Sequence, residues 1–444
     1  MKTDIIIVGC GCSGLYAALH LPKDKKILMI SKDDLENSDS FLAQGGICVL
    51  KDESDYNSFF EDTMRAGHYE NNPESVDIMI RSSKDTIGDL IDYGVDFQRE
   101  EDGTLSFTKE GAHSGKRILF HEDITGKEIT SKLLARVKAL ENVTIVTHKM
   151  MIDIVEQNNR CYGIVMCDEE GHTEVVYSDY TILACGGIGG LYKNSTNFKC
   201  LTGDALAIAM NHNIALENIN YVQIHPTTFY IKDSKERSFL ISESVRGEGA
   251  LLYNKDGKRF VNELLPRDVV TKEIKKQMEK DGSECVWLDM SVIQKDELDN
   301  HFPNIVKYCR EHGYDVHKER IPVVPAQHYF MGGIKVNMSS KTSADRLYAV
   351  GETACNGVHG KNRLASNSLL ESLVFAKRAA KEIGEAYSVN GICPQVNTEK
   401  YKDIEKIKEN YKKMIIEEIE RLDNKNVRSD NDEIECRSVY YKCS

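Results

Sequence analysis

The sequence predicts an α/β fold whose parallel sheet is assembled from distant parts of the chain. Residues 4–8 form a short apolar run that leads into glycines and then into an apolar helical pattern. The runs 181–185 and 347–350 are also apolar and also end at glycines. Short apolar runs bounded in this way are typical of buried parallel strands. Part of the long segment between the last two runs is therefore expected to be an insertion.

The turn after the first run has the pattern G-x-G-x-x-G, and its members are Gly9, Cys10, Gly11, Cys12, Ser13 and Gly14. The glycines permit a tight turn, a close approach of backbone to a pyrophosphate, and close packing of helix on strand. The helix that starts here directs its N-terminus at the phosphate charge. The pattern predicts a Rossmann-like dinucleotide site. Plain NAD binding is less expected, because Ser31 and Lys32 stand where such a domain carries an acid.

We divide the chain into three parts. They are a discontinuous Rossmann-like domain, an inserted α+β capping domain and a short C-terminal helical region, which span residues 1–218 with 330–390, 219–329, and 391–444. In the last part, residues 399–422 carry the apolar stripe of an amphipathic helix that packs on the other domains. The tail from Asp423 is polar and is expected to be partly disordered.

Composition excludes several classes of partner. The net charge of −13 argues against nucleic acid, whose binding proteins usually present a basic face. No apolar run approaches the ~18–20 residues that span a bilayer, and residues 1–4 lead into a strand without a signal peptide. The 13 cysteines are scattered without the spacing of a disulfide framework. Neither Cys10 with Cys12 nor Cys436 with Cys443 has a second pair at zinc spacing, so we expect no metal and a cytoplasmic protein.

Residues 38–47 form a segment of small residues that contains two adjacent glycines. Such a segment lets the backbone come close to a flat ligand, and its N–H groups could reach the N5 or O4 atom of a flavin. An ordinary surface turn has a similar composition. The segment alone therefore leaves both interpretations open.

Taken together, the motifs resemble the succinate dehydrogenase/fumarate reductase flavoprotein superfamily over residues 1 to about 390. This resemblance is carried by residues 9–14, 43–46, 225–227, 242–249, 267–268 and 351–368. Within the superfamily, the chain looks like the L-aspartate oxidase branch, on the strength of residues 109–114, 117–119, 123–126 and 357–371. Ala112, Cys185 and Lys361 depart from the family pattern, and the C-terminal region is shorter than in typical members.

The resemblance implies FAD as the cofactor, bound without a covalent link. Members with covalent flavin commonly carry a histidine five residues before the loop glutamine, and here that position is Asp39. The helix that opens near Ser366 would direct its positive end at the flavin N1/O2 edge. Besides the Gly9–Gly14 turn, the resemblance assigns to FAD the residues Lys32, Asp39, Ser40, Ala43, Gln44, Gly45, Gly46, Met150, Met151, Asp204, Glu352, Ser366, Ser368 and Leu369.

The resemblance also places the carboxylates of a small dicarboxylate on Arg363, His225, His328 and Ser242. A guanidinium is a planar fork suited to binding a carboxylate through two hydrogen bonds. Glu110 discriminates between substrates, because it would repel succinate or fumarate but pair with the ammonium of L-aspartate. Outside this constellation, Glu110 is more typical of a solvated loop carboxylate, and each histidine of a structural one.

Arg267 is placed near the substrate Cα, with Glu243 and Arg246 as a proton relay. A guanidinium is a poor base, since its pKa lies above ~12. Arg267 could therefore only orient the substrate and offset charge in the transition state, or it could do this and accept a proton; we favour both roles. The implied reaction transfers the Cα hydrogen as hydride to flavin and yields iminosuccinate. Oxygen or fumarate would reoxidise the flavin, and iminosuccinate would feed quinolinate formation in NAD biosynthesis, with quinolinate synthase as a candidate partner.

Two other functions fit parts of the pattern. A fumarate reductase or succinate dehydrogenase flavoprotein would share the fold but act on an unaminated dicarboxylate. Asp39 and the Glu-Gly-x-His-Ser run at Glu110 count against it. A non-catalytic flavin-binding protein would not need Arg267, Arg363 and both histidines together. We therefore predict a flavoenzyme that oxidises L-aspartate.

Overall fold

The computed structural model describes residues 1–429 of the 444-residue chain. The strands are β1 Ile5–Val8, β2 Ile27–Ile30, β3 Ile47–Cys48, β4 Ile118–Leu119, β5 Val143–Val146, β6 Met150–Gln157, β7 Arg160–Cys167, β8 Thr173–Tyr177, β9 Tyr180–Leu183, β10 Leu216–Glu217, β11 Val222–Phe229, β12 Leu251–Tyr253, β13 Val286–Asp289, β14 Ile321–Phe330, β15 Gly333–Lys335, β16 Leu347–Ala349 and β17 Ala354–Cys355. The helices are α1 Cys12–His20, α2 Asp39–Leu42, α3 Tyr56–Ala66, α4 Pro73–Arg81, α5 Ser83–Asp92, α6 Thr125–Lys138, α7 Asp204–Asn211, α8 Glu243–Gly247, α9 Arg267–Asp281, α10 Lys295–His301, α11 Pro303–Glu311, α12 Asn367–Glu385 and α13 Ile404–Ser429.

The central sheet is parallel, with the strand order β16–β9–β1–β2–β5. The three apolar runs identified in the sequence are neighbours in this sheet, as β16, β9 and β1. Ile5 and Ile7 pack on one face with α1 and α12, whereas Ile6 and Val8 pack on the other face with α7 and α13. Both faces are therefore buried, which explains why β1 is apolar at every position.

Three smaller sheets surround the central one. Strands β6, β7 and β8 form an antiparallel sheet, and β10, β15 and β17 form another small sheet. Strand β3 pairs with β4, so that Ile47 lies opposite Leu119. This short pairing brings the small-residue segment 38–47 next to the segment that carries Glu110.

Between β10 and β15 the chain forms a four-stranded antiparallel sheet with the order β11–β14–β13–β12. Helices α9, α10 and α11 contribute Val270, Leu298 and Ile305 to its own apolar cluster. The first residues of α8 and α9 are Glu243 and Arg267. The mixture of helices and strands fits the predicted α/β class, and the inserted segment positions these two charged side chains.

The C-terminal helix differs in its bounds from the prediction over residues 399–422. A short 3₁₀ turn covers Thr398–Tyr401, and α13 then runs from Ile404 to Ser429. The helix packs as expected, because Ile415 and Ile419 are buried among the residues of α7 and β6. The beginning of the tail, expected to be partly disordered, is helical, and residues 423–429 contain no glycine or proline to interrupt the helix. The rest of that tail lies outside the described residues.

Two further expectations concern the membrane and the cysteines. No helix within residues 1–429 is long and apolar enough to cross a lipid bilayer. The eleven cysteines in this part of the chain are free thiols. The remaining pair, Cys436 and Cys443, lies outside the described residues.

Candidate active site

One large cavity opens where the strands of the central sheet end. The residues that follow β1, β2 and β9 line it, as expected for a ligand site at the carboxyl edge of a parallel sheet. Residues of the inserted segment line the same cavity. All residues assigned to FAD lie on its wall except Gly14, and all residues assigned to substrate or catalysis lie there except Arg246.

The glycine-rich turn is built as its sequence pattern predicts. Gly9 has φ +112°, and a Cβ there would lie 2.0 Å from the carbonyl oxygen of Ala184. A Cβ on Gly14 would lie 2.2 Å from the carbonyl oxygen of Gly9. Gly14 does not line the cavity, and its contact with the cofactor stays a prediction. Gly14 lets α1 pack closely on the turn, while Gly9 to Ser13 face the cavity.

The small-residue segment is more ordered than an irregular loop, because Asp39–Leu42 form one turn of helix, α2. The Ser40 hydroxyl accepts a hydrogen bond from the Cys12 amide at 3.1 Å. Asp39 Oδ1 accepts one from the Phe198 amide at 3.0 Å. Within the described part of the chain, Ser38 Oγ, Asp39 Oδ2 and Gln44 Oε1 are buried without a hydrogen-bond partner. Such atoms on a cavity wall indicate a polar ligand that satisfies them.

Lys32 connects the end of β2 to the start of α7. Its ammonium lies 2.7 Å from Asp204 Oδ2, 3.0 Å from Thr202 Oγ1 and 2.9 Å from the Cys200 carbonyl oxygen. Met150 and Met151 begin β6 and are buried on the same cavity wall. Glu352 accepts a hydrogen bond from the Phe330 amide at 2.8 Å, and burial raises its pKa.

Helix α12 begins at the cavity, next to Ser366, Ser368 and Leu369. Ser366 stands at the N-cap position with φ +60°. Its hydroxyl donates to Glu110 instead of capping the helix. The positive end of the α12 dipole is therefore available to an electron-rich group in the cavity.

Arg363 is buried on the cavity wall. One guanidinium nitrogen, Nη1, donates to Ser368 Oγ at 2.8 Å, and the guanidinium carbon lies 4.5 Å from the ring centroid of Tyr329. Arg363 Nε has no hydrogen-bond partner in the described residues. Burial, and then the nearby Arg267, lower the Arg363 pKa to about 10. The group is thus a buried cation that still carries an unused donor.

His225 and His328 lie side by side on β11 and β14, with ring centroids 5.2 Å apart. The Nδ1 atom of His225 lies close to the backbone of Thr227, and that of His328 is 2.8 Å from Thr196 Oγ1. Burial, followed by the positive charge of Arg267, lowers the pKa of both rings well below 6.5. Each ring is therefore neutral near pH 7 and can donate from Nε2 only in one tautomer.

Arg267, Glu243 and Arg246 form a continuous buried chain of charges. Arg267 donates from Nε to Glu243, and from Nη1 to Gln223 Oε1 at 2.8 Å. Glu243 Oε2 lies 3.9 Å from Arg246 Nη2. Burial would raise the pKa of Glu243, but Arg267 and Arg246 outweigh it and lower that pKa. Because Arg246 lies behind Glu243, it does not line the cavity.

Glu110 is 3% exposed, so it is not the solvated loop carboxylate that its sequence alone would favour. Its Oε1 accepts a hydrogen bond from Ser244 Oγ at 2.9 Å, and its Oε2 accepts one from Ser366. Burial, and then Glu243, raise the pKa of Glu110. Glu110 is thus a buried acid on the wall of a cavity that Glu243, Arg267 and Arg363 also line.

Four residues of this site were not predicted from the sequence. Three of them make hydrogen bonds: Gln223 to Arg267, Thr196 to His328, and Ser244 to Glu110. The fourth is Tyr329, whose ring stacks on the Arg363 guanidinium. Gln223 could have been found, because a side chain two residues before His225 in a strand lies on the same face. The other three depend on contacts between segments distant in sequence, or on a ring orientation that no sequence pattern indicates.

Comparisons with known proteins add three findings. A family model described as the FAD binding domain matches residues 4–369. An L-aspartate oxidase from Clostridium perfringens is 50% identical over 419 residues, which cover 94% of this chain and 94% of the relative. An L-aspartate oxidase from Clostridium acetobutylicum is 47% identical over 388 residues, covering 87% of this chain and 89% of the relative.

Among solved structures, a variant of the E. coli quinol fumarate reductase superposes with a TM-score of 0.82 at 29% identity. The match covers 88% of this chain and 72% of that one. A quinol–fumarate reductase structure with menaquinol molecules gives a TM-score of 0.83, also at 29% identity, and covers 88% of this chain and 73% of that one.

The residues present fit FAD. The Gly9 turn and the start of α1 offer backbone to a pyrophosphate, and the unpartnered oxygens of Ser38, Asp39 and Gln44 offer acceptors. The free start of α12 offers positive charge to the electron-rich edge of an isoalloxazine ring. A cofactor in this cavity would also contact the wall that carries the cationic residues.

Proposed function

The chain belongs to the L-aspartate oxidase family of FAD-binding proteins, and on that basis we propose that it oxidises L-aspartate to iminosuccinate. Oxygen or fumarate then accepts the electrons, and the reaction is the first step of de novo NAD biosynthesis through quinolinate. The observation that carries the proposal is Glu110, a buried acid that lines the same cavity as Arg267 and Arg363. The family supplies the reaction class, and this acid accounts for the choice of an aminated substrate.

The carboxylates of the substrate bind to the cationic wall. Arg363 offers its unpartnered Nε and the rest of its fork, fixed by Ser368 and by the face of Tyr329. His225 and His328 add neutral N–H donors, and Ser242 adds a hydroxyl at the start of α8. Neutral donors bind a carboxylate without adding further positive charge to a buried site.

The substrate ammonium binds to Glu110. In its ionised form this carboxylate is held by two serine hydroxyls, which leaves lone pairs for the ammonium. An unaminated dicarboxylate would place no cation there and would leave a buried negative charge uncompensated. Glu110 therefore favours aspartate over succinate.

Arg267 orients the substrate and offsets the negative charge of its carboxylates in the transition state. Its contact with Glu243, and the contact of Glu243 with Arg246, give a proton a path away from the reacting atoms. Oxidation removes a hydride from Cα and a proton from nitrogen, and forms the C=N bond of the product. When bound, FAD supplies the acceptor for that hydride.

A second candidate function is reduction of fumarate as the principal activity. It is supported by the likeness to fumarate reductases, because the same cationic wall would bind an unaminated dicarboxylate. Glu110 argues against it as the main reaction. We therefore assign fumarate the role of electron acceptor.

We also propose the arrangement around this reaction. Residues 1–218 with 330–390 form the FAD-binding domain, residues 219–329 cap the substrate, and residues 391–444 form the helical region. Quinolinate synthase is the partner we expect for the product, and the reducing cytoplasm suits the free thiols. These assignments rest on the order of the elements and on the family.

The experiment that tests the function is anaerobic reduction of the purified holoenzyme. We expect L-aspartate to bleach the flavin absorbance rapidly, while succinate at the same concentration bleaches it slowly or not at all. Added fumarate should then restore the colour of the aspartate-reduced enzyme. Equal bleaching by both acids, or bleaching by succinate alone, would contradict the proposal.

We expect the cofactor to be held without a covalent bond, because Asp39 provides a carboxylate and no nucleophilic ring nitrogen at this position. Acid precipitation of the holoenzyme should release all of the yellow chromophore into the supernatant. A coloured or fluorescent polypeptide band after denaturation would show that a covalent link exists.

A further inference from the structure

Ser244 contacts the carboxylate of Glu110 from inside helix α8. Both residues are buried. The Ser244 hydroxyl donates to Glu110 Oε1 at 2.9 Å, and it accepts a hydrogen bond from Ser242 Oγ at 3.3 Å. The opposite oxygen, Oε2, accepts from Ser366. Each carboxylate oxygen is therefore held by one hydroxyl, and the two hydroxyls come from segments more than a hundred residues apart.

We propose that Ser244 is a specificity-determining positioning residue, whose hydroxyl holds the Glu110 carboxylate in the orientation that binds the substrate ammonium. This inference rests on the proposed function. It concerns the substrate preference of the same site, and it predicts a selective loss for aminated substrates.

The geometry leaves Glu110 Oε1 little freedom. On one side stands the backbone of Gly45, where a Cβ would lie only 2.3 Å from this oxygen. On the other side stands the Ser244 hydroxyl. Displacement of the carboxylate from this position would break the bond to Ser244.

The charges around Glu110 make this hydrogen bond important. The charged groups that interact with it belong to Glu243, Arg246, Arg267 and Arg363, and the Cys48 thiol is also near. Burial and the negative Glu243 favour the neutral acid, which cannot attract an ammonium. A hydroxyl that donates to the anion opposes both effects. Without it, the neutral form would persist to higher pH.

The test compares wild type with Ser244→Ala in two reactions of the same holoenzyme. For L-aspartate oxidation with oxygen as acceptor, we expect kcat/KM to fall roughly tenfold, mainly through a higher KM, because a hydrogen bond to a charged group is lost. The acid limb of the pH profile should move to higher pH by up to about one unit. Fumarate reduction by a reduced dye should change less than about twofold, because it needs no ammonium site.

Two further variants keep the outcome interpretable. Ser340→Ala removes another buried hydroxyl, which lies outside the cavity and donates to the Phe375 carbonyl oxygen at 3.2 Å. This control variant should leave both reactions unchanged. Ser244→Cys fills the same space with a weak donor, and it should reproduce the selective loss even where the alanine variant binds FAD poorly.

The results separate this inference from the function beneath it. If wild type does not oxidise aspartate, the proposed function is wrong. Suppose that wild type oxidises aspartate, but that Ser244→Ala and Ser244→Cys lower both reactions equally or keep the wild-type pH profile. Either result would mean that Ser244 is only structural and that the inference is wrong. A selective loss with a shifted acid limb supports it.

Discussion

The two sides of the candidate site differ in how they are built. The carboxylate side, defined by His225, His328 and Arg363, is supported by long strands and the start of a long helix. The ammonium side, defined by Glu110, Ser244 and Ser366, depends on the mostly irregular segment between α5 and β4. The carboxylate side carries positive charge and neutral donors, whereas the ammonium side carries one buried acid.

The irregular segment is fixed by a buried ion network. Arg117 is fully buried and donates to Asp55 at 2.9 Å and to Asp62 at 2.7 Å. His113 lies 3.0 Å from the Arg117 Nη1 atom and 3.0 Å from the Ala365 carbonyl oxygen. A segment with little secondary structure therefore gains a defined position from charge pairing.

The difference between the two sides indicates which residues determine substrate specificity. Any small dicarboxylate needs the carboxylate side, and the likeness to fumarate reductases agrees with a shared scaffold for such acids. Only an aminated acid can pair its ammonium with the Glu110 carboxylate. We infer that a small change in an irregular segment can select a new substrate on an unchanged scaffold. Mutations on the two sides should therefore differ in kind as well as in size.

The largest effect should follow from breaking the carboxylate side with Arg363→Leu. Loss of two charge-assisted hydrogen bonds, each worth about 1.5–3 kcal/mol, should abolish turnover with aspartate and with fumarate alike. FAD content, measured by absorbance of the purified protein, should remain. Arg378→Leu makes the same exchange in α12, where the guanidinium Nε donates to the Met338 carbonyl oxygen outside the cavity, and this variant should keep its activity. Near-wild-type turnover of Arg363→Leu at saturating aspartate would remove this residue from the site.

A smaller but selective effect should follow from Glu110→Gln. The change keeps the shape and removes the attraction for ammonium, so kcat/KM for aspartate oxidation should fall roughly 10–100-fold, equivalent to about 1.4–2.8 kcal/mol. Fumarate reduction with a supplied donor should fall little or rise, because a repulsive charge has gone. Both rates are measured on one preparation.

The exposed Glu100 provides the control for this variant. Glu100→Gln removes an acid from the same irregular segment, and it should change neither rate. If Glu110→Gln lowers both rates equally, then Glu110 supports the fold or the flavin. The assignment of aspartate would then depend on family membership alone.

The same contrast explains how much the sequence could predict. The strand–glycine–helix pattern predicted the parallel sheet and the position of the cavity, because the turn at Gly9, with φ +112° and no room for a Cβ, needs glycine. The family resemblance assigned His225, His328 and Arg363 to the carboxylate side, and all three line the cavity. Ser244 was not predicted, since a serine one residue past Glu243 is compatible with any helix, and only the fold brings it to Glu110. The extension of α13 was missed because a polar composition permits both a helix and an irregular tail.

The position of Glu110 itself shows the limit of sequence reasoning on charge. Taken alone, it was expected in solvent, because a lone acid in a loop usually is solvated. Its burial depends on Ser366 and Ser244, which reach it from the start of α12 and from α8. Long-range hydrogen bonds of this kind leave no periodic pattern in the sequence.

Close to the pKa of Glu110 the expected effect of pH is smaller than that of either mutation, and its sign differs between the two sides. Burial and Glu243 raise the pKa of Glu110 above its ordinary value of 4.5. Because the ionised form binds the ammonium, kcat/KM for aspartate should fall as pH decreases through that raised pKa, by about tenfold per unit below it. His225 and His328 have lowered pKa values, and their protonation at low pH would strengthen carboxylate binding, which is the opposite sign. The acid limb should therefore appear for aspartate oxidation, be absent for fumarate reduction, and disappear in Glu110→Gln. If kcat/KM fell equally at low pH in both reactions, the acid limb would belong to a group that both reactions use. That result would contradict the separate roles of the carboxylate side and the ammonium side.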